Sequence, residues 1–400
     1  MSEAVIVATA RTPIGRANKG SLVDCRPDDL SALIIDAVLS KVPNLDRALI
    51  EDVIWGCGQP AGEAGTNIAR VAGILAGIDA PGVTVNRYCS SSLQTIRMAS
   101  HAIKAGEGDI FIAGGVETVS RFQYGAADSG PPNGKFGEAH ERTKKRTEGG
   151  QPTWTPPSGF PDVYIAMGQT AENVAIMTGI GREDQDHWGV RSQNRAEEAI
   201  KSGFFEREIV PVTLPDGTVV STDDGPRAGT TYEKISELKP VFRPNGTVTA
   251  GNACPLNDGA AAVVITSDTK AKELGLKPLA RIVSTGVSGL SPEIMGLGPI
   301  EASKMALQRA GLSVKDIDLF EINEAFAVQV LGSARELGID EDKLNVSGGA
   351  IALGHPFGMT GARIATTLLN NLQTHDKTFG LETMCVGGGQ GMALVIERLS

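Results

Sequence analysis

Cys89 stands at a point in the chain where a thiol could act as a nucleophile. Residues 83–86 form a short apolar run typical of a strand, and residues 93–105 show the apolar spacing of a helix. Cys89 therefore falls at the start of a helix, where free backbone N–H groups and the helix dipole favour a thiolate. The serines that follow are equally typical of a helix N-cap, which leaves a buried structural thiol as the alternative.

Three residues of the second half of the chain also stand at strand ends. His355 follows a glycine-rich stretch and precedes a helix, as Cys89 does, and is either a base or a structural histidine. Cys385 ends a strand and is followed by three glycines, whose N–H groups could form an oxyanion hole or belong to a hairpin. Asn323 follows another strand and is either a site residue or the N-cap of the next helix.

The elements that must position these residues occur in two similar sets. The first set has predicted strands at 4–8, 53–56, 83–86, 110–113 and 259–265, with helices at 28–39, 67–76 and 93–105. The second set has predicted strands at 279–284, 318–322, 343–346, 379–384 and 391–397, with helices at 299–310, 326–337 and 360–369. Such alternation predicts an α/β fold with a mainly parallel sheet covered on both faces.

A long insertion separates the last two strands of the first set. Residues 125–159 are rich in Gly, Pro and charge, which predicts a surface loop. Its basic stretch, 140–146, is either solvated or in contact with an anionic ligand. Helices are predicted at 166–177 and 183–201. The predicted domains are residues 1–268, containing an inserted loop domain at about 119–249, and residues 269–400.

The composition limits the classes of function. The chain has 400 residues, of which 41% are hydrophobic and 21% charged, as in soluble globular proteins. A net charge of −10 disfavours nucleic acid or an anionic membrane as the main partner. No apolar run approaches the roughly 20 residues that span a bilayer, so membrane insertion is not expected. The first residues do not resemble a secretory leader, and we therefore expect a cytoplasmic location.

The cysteines and acidic pairs do not predict a metal centre. Five cysteines are scattered along the chain without a Cys-x-x-Cys pair, which disfavours a disulfide framework or a zinc ribbon. No His-Glu-x-x-His motif occurs, and Asp223-Asp224 is more typical of a solvated turn than of a metal site. We therefore expect no metal ion.

Together, these residues resemble the thiolases, a family of acyltransferases that cleave or form 3-ketoacyl-CoA. The resemblance covers nearly the whole chain and is strongest at 323–326 (NEAF), 348–355 (GGAIALGH) and 385–391 (CVGGGQG). It implies two repeated βαβαβαββ halves in a layered α/β/α/β/α arrangement, with a loop domain inserted in the first half. It also implies a homodimer or homotetramer, with coenzyme A as a co-substrate and no tightly bound cofactor.

The resemblance assigns roles residue by residue. Cys89 resembles the nucleophile that becomes acylated, and His355 the base that activates it. Asn323 resembles the residue that holds a water in the oxyanion hole that His355 also faces. Cys385 resembles a second acid/base that moves a proton at the α-carbon of acetyl-CoA. The backbone N–H groups of Cys89 and Gly387 resemble the second oxyanion hole, and two holes are needed because the alkoxide and the enolate carry charge at different positions.

Other positions concern the substrate and depart from the family pattern. Cys254 stands where a serine often contacts the pantetheine arm of CoA, and Arg227 falls where an arginine faces the adenine end. Met167 lies in Ala166-Met167-Gly168, where enzymes that form acetoacetyl-CoA tend to have His-Met-Gly. This difference favours a degradative thiolase of fatty-acid β-oxidation, acting on acyl-CoA and CoA. The alternatives are a biosynthetic acetoacetyl-CoA thiolase and, more remotely, a non-catalytic acyl-CoA or sterol carrier.

Overall fold

The first set of elements forms as the periodicity predicts. A computed structural model describes residues 2–122, 130–149 and 153–400. The first elements are β1 (Ala4–Arg11), β2 (Gly15–Arg16), α1 (Pro27–Ser40), β3 (Asp52–Gly56), α2 (Ile68–Leu75), β4 (Gly82–Val85), α3 (Ser91–Ala105) and β5 (Ile110–Thr118). Helix α3 buries one apolar face and ends where Gly106 adopts a φ of 78°, a conformation that glycine reaches without strain.

The inserted segment contains four α-helices and one short two-stranded hairpin among its described residues. Its elements are α4 (Gly137–Thr147), α5 (Met167–Thr178), α6 (Arg182–Lys201), β6 (Val212–Thr213), β7 (Val219–Val220) and α7 (Tyr232–Ser236). The chain then returns to the first set through β8 (Asn257–Ser267) and the short helix α8 (Asp268–Glu273).

The second set repeats the order of the first. Its elements are β9 (Ala280–Gly289), α9 (Gly298–Ala310), β10 (Leu319–Ile322), α10 (Ala327–Leu337), α11 (Ala350–Leu353), α12 (Thr360–Thr374), β11 (Phe379–Val386) and β12 (Gln390–Arg398). The predicted strand at 343–346 is wrong, because Asn345 has a φ of 48° and a single bridge joins Leu344 to Phe320. The Asn345 side chain instead bonds both the N–H and the carbonyl of Ile322, at 2.9 Å each, and so takes the place of a backbone pair.

The strands form a mixed sheet. Its 10 strands follow the order β10-β11-β12-β9-β1-β8-β5-β3-β4, with β2 paired to β8. Within the described residues, the pairs β3–β4, β3–β5 and β10–β11 are parallel and the other pairs of this sheet are antiparallel. The prediction of a mainly parallel sheet is therefore wrong. In each set the last strand runs back beside the first, and β1 meets β9 antiparallel through Val5–Arg281 and Ile6–Ala280.

Three buried hydrophobic clusters define the layers. One cluster packs α3 and α12 between the two parts of the sheet. A second packs α1 and α2 against the outer face of the first part, and a third packs α9 and α10 against the outer face of the second. The order of layers is α/β/α/β/α, which confirms the expected thiolase-like fold.

The two central helices touch near their first turns. The N–H of Ala362 donates to Ser92 Oγ at 3.0 Å, and a Cβ on Gly361 would collide with the backbone of Leu93. A Cβ on Gly115 would likewise collide with the carbonyl oxygen of Gly358. The chain segments that begin α3 and α12 are therefore held at backbone contact.

The inserted segment is anchored by a buried arginine at the end of β1. Arg11 Nε donates to Glu208 Oε1 at 2.7 Å, and its Nη1 donates to Asp223 Oδ1 at 2.7 Å. Both carboxylates are buried with the arginine. The prediction that Asp223 lies in a solvated turn is therefore wrong, because it compensates the charge of Arg11 in the interior.

The predicted loop at 125–159 contains a helix where it is described. Residues 123–129 and 150–152 lie outside the described part, but 137–147 form α4. Within the basic stretch, Arg146 is buried and its Nη1 lies 3.2 Å from Glu293 Oε2. The carboxylate of Glu293 thus compensates the charge of Arg146. For Arg146, neither solvation nor contact with an anionic ligand, the two expectations for the basic stretch, holds.

Candidate active site

Cys89 lies at the predicted place between β4 and α3. It occupies a 3-10 turn, Tyr88–Ser90, and its side chain is almost fully buried. The turn is tight, since Tyr88 has a φ of 41°, which is uncommon for a residue other than glycine. Two side chains support it: Asn86 accepts from the N–H of Tyr88 at 2.8 Å, and Ser91 accepts from that of Arg87 at 3.0 Å.

Two backbone N–H groups are directed at the Cys89 sulfur. They belong to Cys89 itself and to Gly387, and both lower the pKa of the thiol. Burial has the larger effect and raises the pKa of Cys89 to about 11, with a smaller contribution from the charge of Glu117. The expectation of a thiol acidified by the helix start is therefore wrong for the unliganded protein, because desolvation outweighs the N–H donors.

Gly387 reaches Cys89 from the hairpin that joins β11 to β12. Gly388 and Gly389 complete this turn with φ values of 79° and 83°. The glycine run is thus a hairpin turn, and the N–H of Gly387 lies close enough to Cys89 to lower the pKa of its thiol. Met167, the first residue of α5, borders the same place, with its sulfur 3.8 Å from where a Cβ on Gly387 would lie.

His355 is buried and its ring is fixed by a hydroxyl. Thr360 Oγ1 donates to the Pro356 carbonyl at 2.7 Å, so the oxygen accepts from His355 Nδ1, also at 2.7 Å. This network assigns the proton to Nδ1 and leaves Nε2 as an acceptor. Burial, helped by the charge of Arg363, lowers the pKa of His355 to about 3, and the ring is therefore neutral at physiological pH.

The backbone at His355 is held by a residue that the sequence did not single out. The N–H of His355 donates to Asn257 Oδ1 at 2.9 Å, and Asn257 Nδ2 donates to the Gly15 carbonyl at 3.0 Å. Neither Asn257 nor Thr360 carries a local motif. Their importance follows from the position of the β8 start next to the loop before α12.

Asn323 faces the histidine. Its Nδ2 lies 3.3 Å from His355 Nε2, while its Oδ1 is buried and has no hydrogen-bond partner in the part of the chain that is described. The N-cap alternative is wrong, since α10 begins at Ala327 and Phe326 is its cap. The unpartnered amide oxygen can accept a hydrogen bond from a water or a substrate.

Cys385 is the second thiol of the site. It is fully buried at the end of β11, opposite Gly391 of β12. Burial raises the pKa of Cys385 well above its usual range, and negative charge on Cys89 or Cys254 would raise it further. The three thiols are therefore electrostatically coupled, and at most one is expected to ionise at a time.

A cavity of about 280 Å³ leads away from these thiols. Cys254, Phe242, Thr249 and Arg227 are among its lining residues. Arg227 also lines an adjoining cavity of about 250 Å³, together with Lys234. Burial and negative charge on Cys89 raise the pKa of Cys254, which ties its end of the cavity to the thiol cluster. Arg227 lies along the channel and not among the reacting groups.

Glu117 is a buried carboxylate that sequence analysis missed. Its Oε2 accepts from the N–H groups of Gly58 and Gly358 at 2.8 Å each, and its Oε1 from that of Gln59 at 3.2 Å. It thereby joins the loop after β3 to the loop of His355. Burial raises the pKa of Glu117 to about 7, although these N–H groups oppose the shift. The signal was its position after Gly114-Gly115 at a strand end, which resembles that of Cys385.

Neither a metal site nor a membrane-spanning helix is found in the described part of the chain. No cluster of three or more His, Cys, Asp and Glu side chains there could hold a metal ion. No helix among the described residues is both long and apolar enough to cross a membrane.

The fold and the site define a class of enzyme. A thiol with N–H donors near its sulfur, a neutral imidazole and a second thiol are the parts of an acyltransferase that works through a cysteine thioester. A third thiol, Cys254, lines the neighbouring cavity. The family model described as "Thiolase, N-terminal domain" matches residues 4–269. The family model described as "Thiolase, C-terminal domain" matches residues 276–398. The chain belongs to the thiolase family.

Relatives of known name agree over the full length. A β-ketoadipyl-CoA thiolase of Acinetobacter baylyi is 46% identical and a 3-ketoacyl-CoA thiolase of Bacillus subtilis is 44% identical. The first alignment covers 100% of both chains, and the second covers 99% of this chain and 100% of the relative. The crystal structure of the Bacillus anthracis acetyl-CoA acetyltransferase superposes with a TM-score of 0.86 and 39% identity, covering 100% of this chain and 99% of that one.

Proposed function

We propose that this thiolase cleaves 3-ketoacyl-CoA with CoA, giving acetyl-CoA and a shortened acyl-CoA through an acyl-cysteine at Cys89. The observation that carries the proposal is a buried thiol, Cys89, whose pKa the N–H groups of Cys89 and Gly387 lower, close to the second buried thiol, Cys385. A bare pair of donors at this point would also face the oxygen of a thioester formed on the Cys89 sulfur. Negative charge on Cys89 raises the pKa of the buried thiol Cys385, so the two thiols lie close enough to act on one substrate.

The first step forms a bond between the Cys89 sulfur and C3 of the substrate. With the pKa of Cys89 raised to about 11 and that of His355 lowered to about 3, the proton stays on sulfur until substrate binds. We infer that it passes to His355 Nε2 as the carbon–sulfur bond forms. Thr360 keeps that nitrogen available by accepting from Nδ1.

The second step breaks the bond between C2 and C3 and releases an enolate of acetyl-CoA. Asn323 supports this charge, because its Nδ2 lies beside His355 Nε2 and its free Oδ1 can orient a water. Cys385 donates its proton to C2 of the enolate, which gives acetyl-CoA and leaves a thiolate. This thiolate then takes the proton of incoming CoA, whose sulfur attacks the thioester. The Cys89 sulfur leaves and takes back the proton that His355 holds, which restores both groups.

The cavity supplies a place for CoA. We propose that Arg227 faces its phosphates or adenine, because the guanidinium lines both parts of the channel. Cys254 then lies along the pantetheine arm, and Met167 borders the acyl end near Gly387. Coenzyme A acts as a co-substrate, and no tightly bound cofactor takes part in the scheme.

A degradative role in fatty-acid β-oxidation is the preferred assignment of substrate. Ala166 precedes α5 at the acyl end of the site, where a histidine would fill more space. The test is thiolysis of 3-ketoacyl-CoA substrates from C4 upward, with 3-ketoadipyl-CoA as a separate arm because a relative is named for it. Activity well beyond C4 on straight chains supports β-oxidation. Activity confined to C4 indicates the biosynthetic alternative, and preference for the dicarboxylic substrate indicates ring-cleavage or adipate-type degradation.

The same experiment separates catalysis from simple binding. If the folded protein binds CoA thioesters but no acyl group appears on Cys89 by mass spectrometry, the enzymatic proposal fails and the carrier alternative replaces it. An acyl adduct on Cys89 that disappears on adding CoA supports the full cycle.

The remaining features of organisation are also proposals. A division into residues 1–268, with the insertion at 119–249, and 269–400 is supported by family matches at 4–269 and 276–398. A homodimer or homotetramer is supported by β4, an edge strand with the exposed Val83. A cytoplasmic location is supported by five cysteines that are all free. Light scattering of the purified protein tests the oligomeric state.

A further inference from the structure

We propose that a basic cavity between α3, β9 and the end of α9 binds a phosphate-type oxyanion. The cavity measures about 300 Å³ and is lined by Arg97, His101, Lys104 and Arg309, with Ser100 and β9 residues 282–285. Arg97 lies roughly two turns along the helix from the turn that holds Cys89, so the cavity is separate from the catalytic site.

The charges around this cavity are of one sign. No Asp or Glu is among its lining residues, and none of its four basic side chains forms an ion pair with a described carboxylate. Burial lowers the pKa of His101, and the positive charges of Arg97, Lys104 and Arg309 lower it further. Burial and the positive charges of Arg87 and Arg309 also lower the pKa of Arg97. The protein thus gathers cations that repel one another.

Backbone capping explains only part of this cluster. Lys104 Nζ donates to the carbonyls of Ile282 and Val283 at 3.2 and 3.3 Å, and Arg309 Nη1 donates to that of Thr285 at 2.7 Å. These carbonyls lie beyond the point where β9 leaves β1, so they need donors from elsewhere. Two of the four basic side chains therefore satisfy a strand edge, but His101 and Arg97 cap no carbonyl of the described residues in this way.

The guanidinium of Arg97 has N–H donors that the described protein groups do not satisfy. Its Nε is buried and has no hydrogen-bond partner among the described residues, and its Nη1 makes one long contact of 3.4 Å with Gln94 Oε1. A buried unpaired guanidinium donor is costly, and an oxyanion would satisfy it. Arginines bind the oxygens of phosphate through paired N–H groups, and His101 and Lys104 add further donors. The cavity has room for inorganic phosphate or a small phosphomonoester.

Isothermal titration calorimetry of the purified protein tests the proposal. Inorganic phosphate and glycerol 3-phosphate are titrated separately at constant ionic strength, into wild type, Arg97→Gln and His101→Gln. We expect saturable binding to wild type, weakened about tenfold in Arg97→Gln and less in His101→Gln. Equal affinity for both ligands identifies inorganic phosphate as the source, and tighter binding of the monoester identifies a phosphorylated metabolite.

Two controls separate this cavity from other phosphate sites. Lys272→Gln removes one exposed positive charge elsewhere and should leave binding unchanged. Arg227→Gln removes a cation of the substrate channel and should also retain phosphate binding. Absence of binding to wild type overturns the proposal, as does binding that Arg97→Gln and His101→Gln leave intact or that Arg227→Gln abolishes. Because His101 is exposed, its variant keeps the test valid if Arg97→Gln does not fold.

Discussion

The two halves of the molecule share a strand order but differ in the groups at equivalent strand ends. Glu117 of β5 lies opposite Gly259 of β8, and Cys385 of β11 lies opposite Gly391 of β12. One position thus holds a carboxylate bound by three N–H groups, and its counterpart holds a thiol in the site. We infer that the same place in the repeat connects loops in one half and moves a proton in the other.

The same division holds at neighbouring positions. The strand pairing Gly56–Gly115 corresponds to Ile322–Thr383, so Cys57 and Asn323 are counterparts after β3 and β10. Cys57 points its sulfur at Glu117, 3.8 Å from Oε1, whereas Asn323 faces His355. We infer that the first half supplies the nucleophile and the anchoring carboxylate, while the second supplies the groups that move protons and hold the enolate.

The largest effect expected from this division is loss of the nucleophile. Cys89→Ala should lower kcat by at least about 10⁴-fold, because the hydrogen-bond donors and base then have no sulfur to serve. The acyl adduct seen by mass spectrometry should vanish. Cys25→Ala, a buried thiol of the same half, is the matched control and should keep its activity. Comparable loss in both variants would contradict the assignment.

The second thiol should be needed for the proton transfers at C2 and at CoA, and not for forming the carbon–sulfur bond to Cys89. Cys385→Ala should lower thiolysis by about 10²- to 10⁴-fold, the usual contribution of a general acid or base. Acylation of Cys89 by acetyl-CoA should persist, while exchange of the acetyl-CoA methyl protons with deuterated solvent should stop. If exchange continues at the wild-type rate, Cys385 is not the group that moves the proton at C2.

The counterpart of Cys385 should act on stability more than on chemistry. The pKa of Glu117 is raised from 4.5 to about 7, so the folded state holds this proton longer than the unfolded state does. The stability that Glu117 contributes is complete below pH 4.5 and is lost as the pH rises through 7. Relative to Glu117→Gln, wild type should therefore lose about 2.5 kcal/mol in the free energy of unfolding between pH 5 and pH 8.

Denaturant titrations at both pH values measure this difference. Glu107→Gln, at an exposed position after α3, is the control and should follow wild type. A constant gap between wild type and Glu117→Gln across the range would show that Glu117 is ionised in both states, and the contrast with Cys385 would then rest on geometry alone.

The smallest effect concerns the channel. Arg227→Gln should raise the KM for CoA about fivefold and change kcat less than about twofold, since a partly solvated ion pair contributes little. Steady-state thiolysis at varied CoA measures both constants. A larger fall in kcat than rise in KM would place Arg227 among groups that act in the transition state.

Much of the fold and site could be predicted because the signals are local. Alternating apolar runs predicted the helices and most strands, and strand ends predicted where Cys89, His355, Asn323 and Cys385 would lie. Strand direction could not be predicted this way, because it depends on where β8 and β12 return in the sheet. The prediction of a strand at 343–346 was wrong because the side-chain amide of Asn345 bonds Ile322 in place of a backbone pair.

The predictions of protonation state failed at buried groups, because burial sets their pKa values. A helix start favours a thiolate, but Cys89 lies so deep that desolvation dominates its pKa. Glu117 was missed because its position after Gly114-Gly115 does not show that three N–H groups converge on its carboxylate. Residue types and spacing thus indicate which groups are present, while depth in the layered interior sets their protonation.

The backbone contacts between the halves limit how such an enzyme can evolve. A Cβ on Gly115 or Gly361 would collide with main-chain atoms of the other half, and side chains cannot move aside to relieve it. Saturation mutagenesis should therefore show these glycines to be intolerant although neither donates to a substrate. A lineage that acquires new acyl groups must then change the channel lining around Phe242 and Met167, since the spacing of the reacting groups is not open to gradual repacking.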